Sequence, residues 1–266
     1  MSIIGIDIGS STIKLIEYKN NIINYKQISQ NKNYEKVIDE FISKINITDI
    51  KKIVATGINA NKINLSKYNI PVEIVDEFDA IGIGGLYLSK KEQAIIASIG
   101  TGTALISANT KGEIKHLGGT GVGGGTLVNL CKAFAKVKSF DEIMQLSKEG
   151  NLNNIDLRIA DLTDKNIKTL PPELTLANFG KLNETANKAD IVAGIINMTF
   201  EVIGMMTAFA TINNDIKDIV LIGNITTIPI VKDILDKIEK THNVRFLIPK
   251  NSQYAVAIGA LIKAIK

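Results

Sequence analysis

Two segments of the chain repeat one pattern, an apolar strand that ends in a turn rich in glycine and hydroxyl side chains. The first runs from Ile3 to Thr12 and the second from Ala94 to Thr103. Gly9 and Gly100 hold equivalent places, 91 residues apart, and each turn is followed by another strand. Such self-similarity predicts two related units, and the helical spacings between the strands predict an α/β fold with mixed sheets.

The remaining elements follow from hydrophobic spacing and from turn residues. In the first unit these patterns predict further strands at 13–18, 52–56 and 71–75, with helices over 33–47 and after Asp79. The second unit is mainly helical, and its predicted helices are 126–136, 139–149, 190–212, 229–240 and 254–265. Its further strands are predicted at 104–108, 113–117, 218–222 and 245–248.

Composition excludes several classes of protein. The net charge is only +4, and aromatic residues make up 5% of the chain with no Trp, which argues against a nucleic-acid binder. One Cys and two His residues in 266 exclude an intramolecular disulfide and a Cys/His zinc site. The chain opens directly on an apolar strand without the pattern of a signal peptide, so we expect a cytoplasmic protein.

One segment, from Ile191 to Ile212, is long enough to cross a bilayer. Its only charged residue is Glu201, which together with Asn197 and several Thr would be costly in lipid. We therefore expect no membrane association and interpret this segment as a buried or dimer-interface helix.

The first turn, residues 7–14, is called hairpin 1, and its counterpart at residues 98–103 is called hairpin 2. In hairpin 1 the order Asp-Ile-Gly-Ser-Ser-Thr-Ile-Lys lets backbone N–H groups approach phosphate oxygens, with hydroxyls and Lys14 as further donors. Asp7 at the strand end is suited to a hydrated Mg²⁺. An ordinary surface hairpin is the alternative, but the second copy favours a pair of turns that clamps a nucleotide.

A glycine-rich run, Gly118–Gly125, precedes a predicted helix. Its spacing satisfies the dinucleotide fingerprint, but the run follows a hairpin, and Asp141, the candidate ribose ligand, falls within a predicted helix. A glycine run that opens a helix toward phosphates fits better, and a purely structural loop stays open. No P-loop sequence occurs.

A carboxylate cluster, Asp76-Glu77-Phe78-Asp79, lies between a strand and a helix. Asp76 and Asp79 suit the helix N-terminus as caps, whereas Glu77 is harder to explain in that way. We interpret Glu77 as the base that accepts a hydroxyl proton during phosphoryl transfer. The later turn at Ile222-Gly223-Asn224 is either a contact to adenosine or a plain loop.

Together these pieces resemble the actin, sugar-kinase and Hsp70 superfold, and within it the type II pantothenate kinases over almost the whole chain. The resemblance is carried by 5–9 with Thr12 and Lys14, 75–80, 99–103, 118–125, Leu174–Gly180, Ile222-Gly223 and Ala257–Ala260. It implies a duplicated actin-like (ribonuclease H-like) ATPase fold with two lobes around a nucleotide cleft. The expected lobes are 1–92, completed by helix 252–266, and 93–251.

The resemblance also implies MgATP-dependent phosphorylation of pantothenate, the first step toward coenzyme A, by a homodimer joined through helix 190–212. Glu77 aligns with the family's catalytic base, and Asp7 at the strand end is our candidate for holding Mg²⁺ through water. The implied nucleotide-binding residues are Asp7, Gly9, Ser10, Ser11, Thr12, Lys14, Thr101, Gly121, Gly123, Gly124, Gly125, Phe140 and Asn224. The implied substrate contacts are Gly100, Thr101, Ala104 and His116.

Two positions depart from the family pattern. His116 stands where the family usually has Arg, and Ala104 where it often has Ser, both at substrate contacts. Imidazole lacks the permanent bidentate charge of guanidinium, so substrate identity is less firmly predicted than ATP binding. The alternatives are a kinase of another alcohol such as an amino sugar, a non-catalytic actin-like or activator ATPase, and a nicotinamide dehydrogenase.

Overall fold

The computed structural model describes residues 1–20, 22–29, 33–162, 171–212 and 215–265. Two five-stranded mixed sheets form its framework. The strands of the first sheet are β1 Ser2–Ile8, β2 Ile13–Lys19, β3 Ile22–Ser29, β4 Ile50–Thr56 and β5 Val72–Ile74. Those of the second are β6 Gln93–Ile99, β7 Thr103–Asn109, β8 Ile114–Thr120, β11 Asp218–Ile222 and β12 Arg245–Leu247. A small ribbon pairs β9 Leu157–Arg158 with β10 Thr175–Ala177.

The two large sheets have the same topology. Their strand orders are β3-β2-β1-β4-β5 and β8-β7-β6-β11-β12. In each, three consecutive antiparallel strands are extended by two parallel strands at the other edge. The predicted duplication therefore extends from the turns to the whole sheet, and the duplicated α/β fold is confirmed.

Seven α-helices lie on the sheets among the described residues. They are α1 Tyr34–Ile42, α2 Glu77–Ser89, α3 Gly124–Ala135, α4 Phe140–Leu146, α5 Lys188–Ala210, α6 Val231–His242 and α7 Ala255–Ile265. Short 3-10 turns connect several elements. In α1 the side chain of Asn33 caps the first turn, and Val37, Ile38 and Phe41 turn one apolar face to the first sheet.

Two helices join the two sheets. α7 packs on β1 and β4 of the first sheet, and α2 packs on β6 and β7 of the second. Where they cross, a Cβ on Gly84 would lie 2.0 Å from the Ala255 carbonyl oxygen, and one on Gly259 would lie 1.9 Å from that of Ala80. Only glycine permits this approach, which explains the small residues of the α2 sequence and of Ala257–Ala260.

Helix α5 is long and apolar enough to span a membrane by length and composition, with a mean hydropathy of 1.6. About 67% of its most apolar window is buried within the protein, where it packs against α3, α4 and α6. Its inward face supplies Ile196, Phe200 and Ile203 to the largest core. The helix therefore serves as the core helix of the second half.

Several predicted boundaries are displaced: the predicted helix 33–47 ends at Ile42, the helix 139–149 ends at Leu146, and two more shifts fall in the glycine run. The helix predicted to begin at residue 126 begins at Gly124, and the predicted strand 113–117 continues to Thr120. Gly118 and Gly119 pair with Leu105 and Ala104 of β7, so the first glycines of the run are strand and the last two are helix. Glycine has no pattern of side-chain burial, and spacing therefore gave no boundary here.

Candidate active site

A cleft of about 800 Å³ lies between the two hairpins, α2, α3 and the turn after β11. Most of the residues proposed from the sequence line it. They are Asp7, Gly9, Ser10, Ser11, Thr12, Lys14, Glu77, Gly100, Thr101, Ala104, Gly124, Gly125, Phe140 and Asn224. Gly121, Gly123 and His116 lie outside this lining.

The two hairpins touch across the cleft through their hydroxyls. The Thr101 Oγ1 atom lies 2.5 Å from Ser10 Oγ and 2.8 Å from Ser11 Oγ. Both serines are exposed to the cleft. The duplicated turns therefore face one another, as the clamp interpretation requires.

Hairpin 1 carries a buried ion pair at its base. Lys14 Nζ donates to Asp7 Oδ2 over 2.8 Å, and the two residues are cross-strand partners in β1 and β2. Asp7 is 3% exposed and Lys14 8%, so the pair is shielded yet borders the cleft. A buried charge must be paired in this way to be tolerated.

Glu77 is the first residue of α2, and its carboxylate enters the cleft. Burial raises the pKa of Glu77, and the Asp7 carboxylate raises it further, against a smaller opposing effect of Lys14. Among the described residues Glu77 has no hydrogen-bond or ion-pair partner. A carboxylate with a raised pKa and free oxygens is a better proton acceptor than an ordinary one.

The other members of the acidic cluster have structural partners. Asp76 caps α2, accepting from the backbone N–H groups of Phe78 at 2.9 Å and Asp79 at 3.2 Å. Asp79 pairs with Lys263 of α7. The structure thus separates the cluster into a cap, a helix-to-helix ion pair and one carboxylate that faces the cleft.

The glycine run lies against hairpin 2. The N–H groups of Gly124 and Gly125 donate to the carbonyls of Gly100 at 2.8 Å and Thr101 at 3.0 Å. A Cβ on Gly123 would lie 2.6 Å from the Gly102 carbonyl carbon, which explains the glycine there. The first amides of α3 therefore hold hairpin 2, while Gly124 and Gly125 also border the cleft.

The turn after β11 forms another part of the cleft wall. Gly223 has φ of 122° and lies so close to β6 that a Cβ would be 2.1 Å from the Ile99 carbonyl oxygen. Asn224 follows it into the cleft. The turn is secured by the Gly223 N–H, which donates to the Ser252 carbonyl at 3.1 Å.

His116 lies beside the cleft rather than in its lining. Its ring stacks on that of Phe78, with centroids 4.4 Å apart and an angle of 9° between the planes. Phe78 itself lines the cleft next to Glu77. His116 therefore reaches the site through an aromatic neighbour, while Ala104 borders the cleft directly.

The segment Leu174–Gly180 is also absent from the cleft lining. Thr175 Oγ1 and Asn178 Nδ2 donate to the Glu201 carboxylate at 2.6 and 2.7 Å. The Phe179 N–H donates at 2.9 Å to Asp156, a carboxyl whose pKa is raised by burial. The bonds to Glu201 attach the segment to α5, and they account for Glu201, the only charged residue between Ile191 and Ile212.

Several lining residues were missed from the sequence. Asn129 and Lys132 follow Gly125 at helical spacing on α3, and this spacing was a usable signal. Ser252 and Gln253 also line the cleft, but only the tertiary fold brings the start of α7 to the end of β11.

The residues present fit a magnesium ion bound with nucleotide phosphates. Asp7 is a carboxylate at the cleft, and the buried hydroxyl of Thr56, its parallel-strand partner, has no hydrogen-bond partner in the described part of the chain. The described residues contain no cluster of three or more His, Cys, Asp or Glu side chains. That suits Mg²⁺, which is usually held by one or two carboxylates together with phosphates and water.

Comparison with known proteins identifies the class first. The fold matches an activator of 2-hydroxyisocaproyl-CoA dehydratase from Clostridium difficile with bound ADPNP (TM-score 0.72, 18% identity, covering 99% of this chain and 94% of that one). It also matches a ROK family glucokinase from Streptomyces griseus in complex with glucose and AMPPNP (TM-score 0.59, 14% identity, 98% of both chains). The fold is therefore that of the actin-like ATPases and sugar kinases.

The family follows from sequence. Residues 90–263 match the Fumble family model. The chain is 30% identical to the type II pantothenate kinase of Bacillus anthracis, over 99% of this chain and 98% of that protein. It is 28% identical to the enzyme of Staphylococcus aureus strain bovine RF122 / ET3-1, over 97% and 98%. This chain belongs to the type II pantothenate kinase family.

Proposed function

We propose that this protein transfers the γ-phosphoryl group of ATP to the primary hydroxyl of pantothenate, which yields 4'-phosphopantothenate. Full-length similarity to type II pantothenate kinases supports the reaction. The observation that carries the mechanism is Glu77, an ionisable carboxylate without a partner among the described residues, set in the cleft between two phosphate-type hairpins.

In the mechanism, Glu77 orients the acceptor hydroxyl and takes its proton as the oxygen attacks phosphorus. The free amides of hairpin 1 bind phosphate oxygens, and Lys14 adds positive charge at its base. Asp7 would hold Mg²⁺ through water, and the ion would neutralise charge on the phosphates. Hydroxyls of Ser10, Ser11 and Thr101 offer further donors once a nucleotide separates them.

The acceptor side of the cleft has a different character. Ala104 and Phe78 give it small and apolar walls, and His116 stacks behind Phe78. The adenosine side lies toward Asn224, Phe140 and α3. We assign pantothenate to the first region and the nucleotide to the second.

The test is ADP release by the purified protein with MgATP, with and without pantothenate. Wild type should release ADP only when pantothenate is added, and Glu77→Gln should lower kcat by about 10²–10⁴-fold. Glu40→Gln, a change of the same type on the exposed side of α1, is the matched control. ADP release that is stimulated by an amino sugar and not by pantothenate would instead indicate a kinase of another alcohol. ADP release that no alcohol stimulates would indicate an ATPase.

We also propose a homodimer joined through α5. The outer side of this helix exposes Val202 (36%) and Phe209 (56%), with Ile212 (72%) just beyond its end. Residues 202, 205, 209 and 212 are spaced by three and four, as on one side of a packed helix. Leu176 (48%) of the ribbon attached to α5 is also exposed.

Light scattering coupled to size exclusion tests the dimer. Phe209→Glu should shift the mass from two chains to one, whereas Phe134→Glu, at an exposed phenylalanine of α3 (67%), should not. A monomeric wild type contradicts the proposal. We further propose the cytoplasm as the compartment, since ATP is the phosphoryl donor, and cell fractionation checks it.

A further inference from the structure

Hairpin 1 is held from behind by two side chains that play no part in the proposed chemistry. The Tyr34 hydroxyl lies 3.0 Å from the Gly9 carbonyl oxygen and 3.2 Å from the Ser10 carbonyl oxygen, so its one hydrogen is shared between these two acceptors. The Asn59 side-chain amide donates to the same Gly9 carbonyl at 3.0 Å. Neither residue lines the cleft.

A trans peptide group is planar, and its C=O and N–H point in opposite directions. The structure has no cis peptide among the described residues. With the Gly9 and Ser10 carbonyls drawn back toward Tyr34, the N–H groups of Ser10 and Ser11 must point the other way. Both serines line the cleft, so these amides are directed toward it.

Within the described part of the chain these two amides have no acceptor, and they lie at an exposed turn. Successive free N–H groups in a turn form a concave binding site for an anion. Without the donors behind them, the carbonyls could rotate into the cleft, where they would repel phosphate oxygens. The carbonyl contacts of Tyr34 and Asn59 therefore decide which end of each peptide dipole faces the ligand.

Both side chains are well placed for this task. Tyr34 begins α1, and its ring packs on the core of the first sheet. Asn59 is fixed by its own backbone N–H, which donates to the Ile8 carbonyl at 3.1 Å. The preceding Gly57, with φ of 94°, lies so close that a Cβ would be 2.7 Å from the Ile8 carbonyl oxygen. The support is thus part of the rigid framework.

We infer that Tyr34 and Asn59 are positioning residues for the nucleotide, which orient the peptide groups of hairpin 1 toward its phosphates. The inference rests on the proposed role of hairpin 1 in binding ATP. It assigns a function to two residues that make no contact with the substrate.

The test uses Tyr34→Phe, which removes only the hydroxyl and leaves the ring in the core. The matched control is Tyr68→Phe: Tyr68 packs on the same core, and its hydroxyl donates to Asp39 at 2.6 Å, away from the cleft. Isothermal titration with AMPPNP and with adenosine, and steady-state kinetics with both substrates, are measured for each. Asn59→Ala is the second variant.

Tyr34→Phe should weaken AMPPNP binding and raise KM for ATP by about 3–10-fold, the range for one lost hydrogen bond. Adenosine binding and KM for pantothenate should stay within about twofold, as should every parameter of Tyr68→Phe. Asn59→Ala should act in the same direction, because it removes a donor to the same carbonyl.

Equal AMPPNP binding by wild type, Tyr34→Phe and Asn59→Ala would overturn the inference. Equal weakening of adenosine and AMPPNP would also overturn it, since a general loosening of the lobe does not distinguish phosphate from nucleoside. A wild type that binds no AMPPNP would instead refute the proposed use of ATP, and that outcome is separate from either of these.

Discussion

The two hairpins share one sequence pattern, yet different kinds of hydrogen-bond donor hold their turns. In hairpin 1 the carbonyls of Gly9 and Ser10 are bound by side chains. In hairpin 2 the equivalent carbonyls, of Gly100 and Thr101, are bound by the backbone N–H groups that open α3. In both turns two successive carbonyls therefore have donors, which are side chains in one half and backbone N–H groups in the other.

The charges are distributed just as unequally. The cross-strand pair Asp7–Lys14 at the base of hairpin 1 corresponds to Ser98–Ala104 at the base of hairpin 2. One copy places a buried ion pair at the cleft, and the other places two small side chains there. The two turns thus share one strand pattern but differ in charge, since hairpin 1 carries a buried ion pair and hairpin 2 carries two small side chains.

Breaking the ion pair should have the largest effect. Lys14→Met leaves Asp7 buried without its partner, which costs about 3 kcal/mol or more of the free energy of unfolding. Loss of the positive charge at the phosphates should also lower kcat by about 10²–10³-fold. Urea denaturation and ADP release measure the two effects.

The matched change in the second copy is Ala104→Ser, which adds a hydroxyl at the position equivalent to Lys14. It should leave the free energy of unfolding within about 1 kcal/mol of wild type. A large loss of stability in this variant, or none in Lys14→Met, would contradict the division of labour between the two hairpins.

A substitution in the glycine run should disturb the backbone contacts that hold hairpin 2. A Cβ on Gly123 would lie 2.6 Å from the Gly102 backbone, whereas one on Gly121 meets nothing within 4 Å. Gly123→Ala should therefore displace the hairpin, raise KM for ATP by about tenfold and destabilise the fold by about 1–3 kcal/mol. Gly121→Ala, the control, should change both quantities far less. ATP kinetics and thermal unfolding measure the two effects. If both variants change them equally, the glycine run does not act through close packing against hairpin 2.

His116 tests the acceptor side. Because it reaches the cleft only through Phe78, His116→Ala should raise KM for pantothenate by about 2–5-fold, the scale of one lost ring contact, and leave KM for ATP unchanged. His116→Arg should retain the stack, since guanidinium also packs on aromatic faces. A kcat loss in His116→Ala as large as that of Glu77→Gln would instead place the imidazole at the reacting atoms.

Much of this arrangement was predictable from the sequence. Strand 218–222 was predicted to the residue, and the duplication was visible because both copies keep an apolar strand before a glycine turn. The sequence also offered Asp76 and Asp79 as candidate caps of α2, and Asp76 is the cap, whereas Glu77 as the base stays a prediction. In each case a local rule determined the outcome.

Other features depended on tertiary contacts that no local rule contains. The support of hairpin 1 by Tyr34 and Asn59 joins residues 25 and 50 positions away from Gly9. The use of the α3 amides by hairpin 2, and the attachment of Leu174–Gly180 to Glu201, likewise appear only once the chain is folded. The sequence identified these segments as polar or glycine-rich but not their partners.

The smallest expected effect concerns stability at Glu77, which faces the charged hairpin. Burial and Asp7 raise the pKa of Glu77 in the folded state, so its ionised form is disfavoured there. That cost is absent below the pKa of Glu77 in the unfolded chain, develops as pH rises from that value to the folded-state pKa, and is complete above it. Glu77→Gln should therefore melt at a higher temperature than wild type at pH 7.5, and the difference should vanish near pH 4.

The same shift should appear in catalysis by the wild type. The acid limb of its kcat/KM profile should lie above 4.5, the ordinary value for a glutamate, because the base must be ionised to accept a proton. Calorimetry at the two pH values and the pH profile are independent measurements of one carboxyl. If Glu77→Gln melts at a lower temperature than wild type at pH 7.5, the ionised Glu77 stabilises the fold. That result would contradict a raised pKa of Glu77 and its proposed role as the proton acceptor.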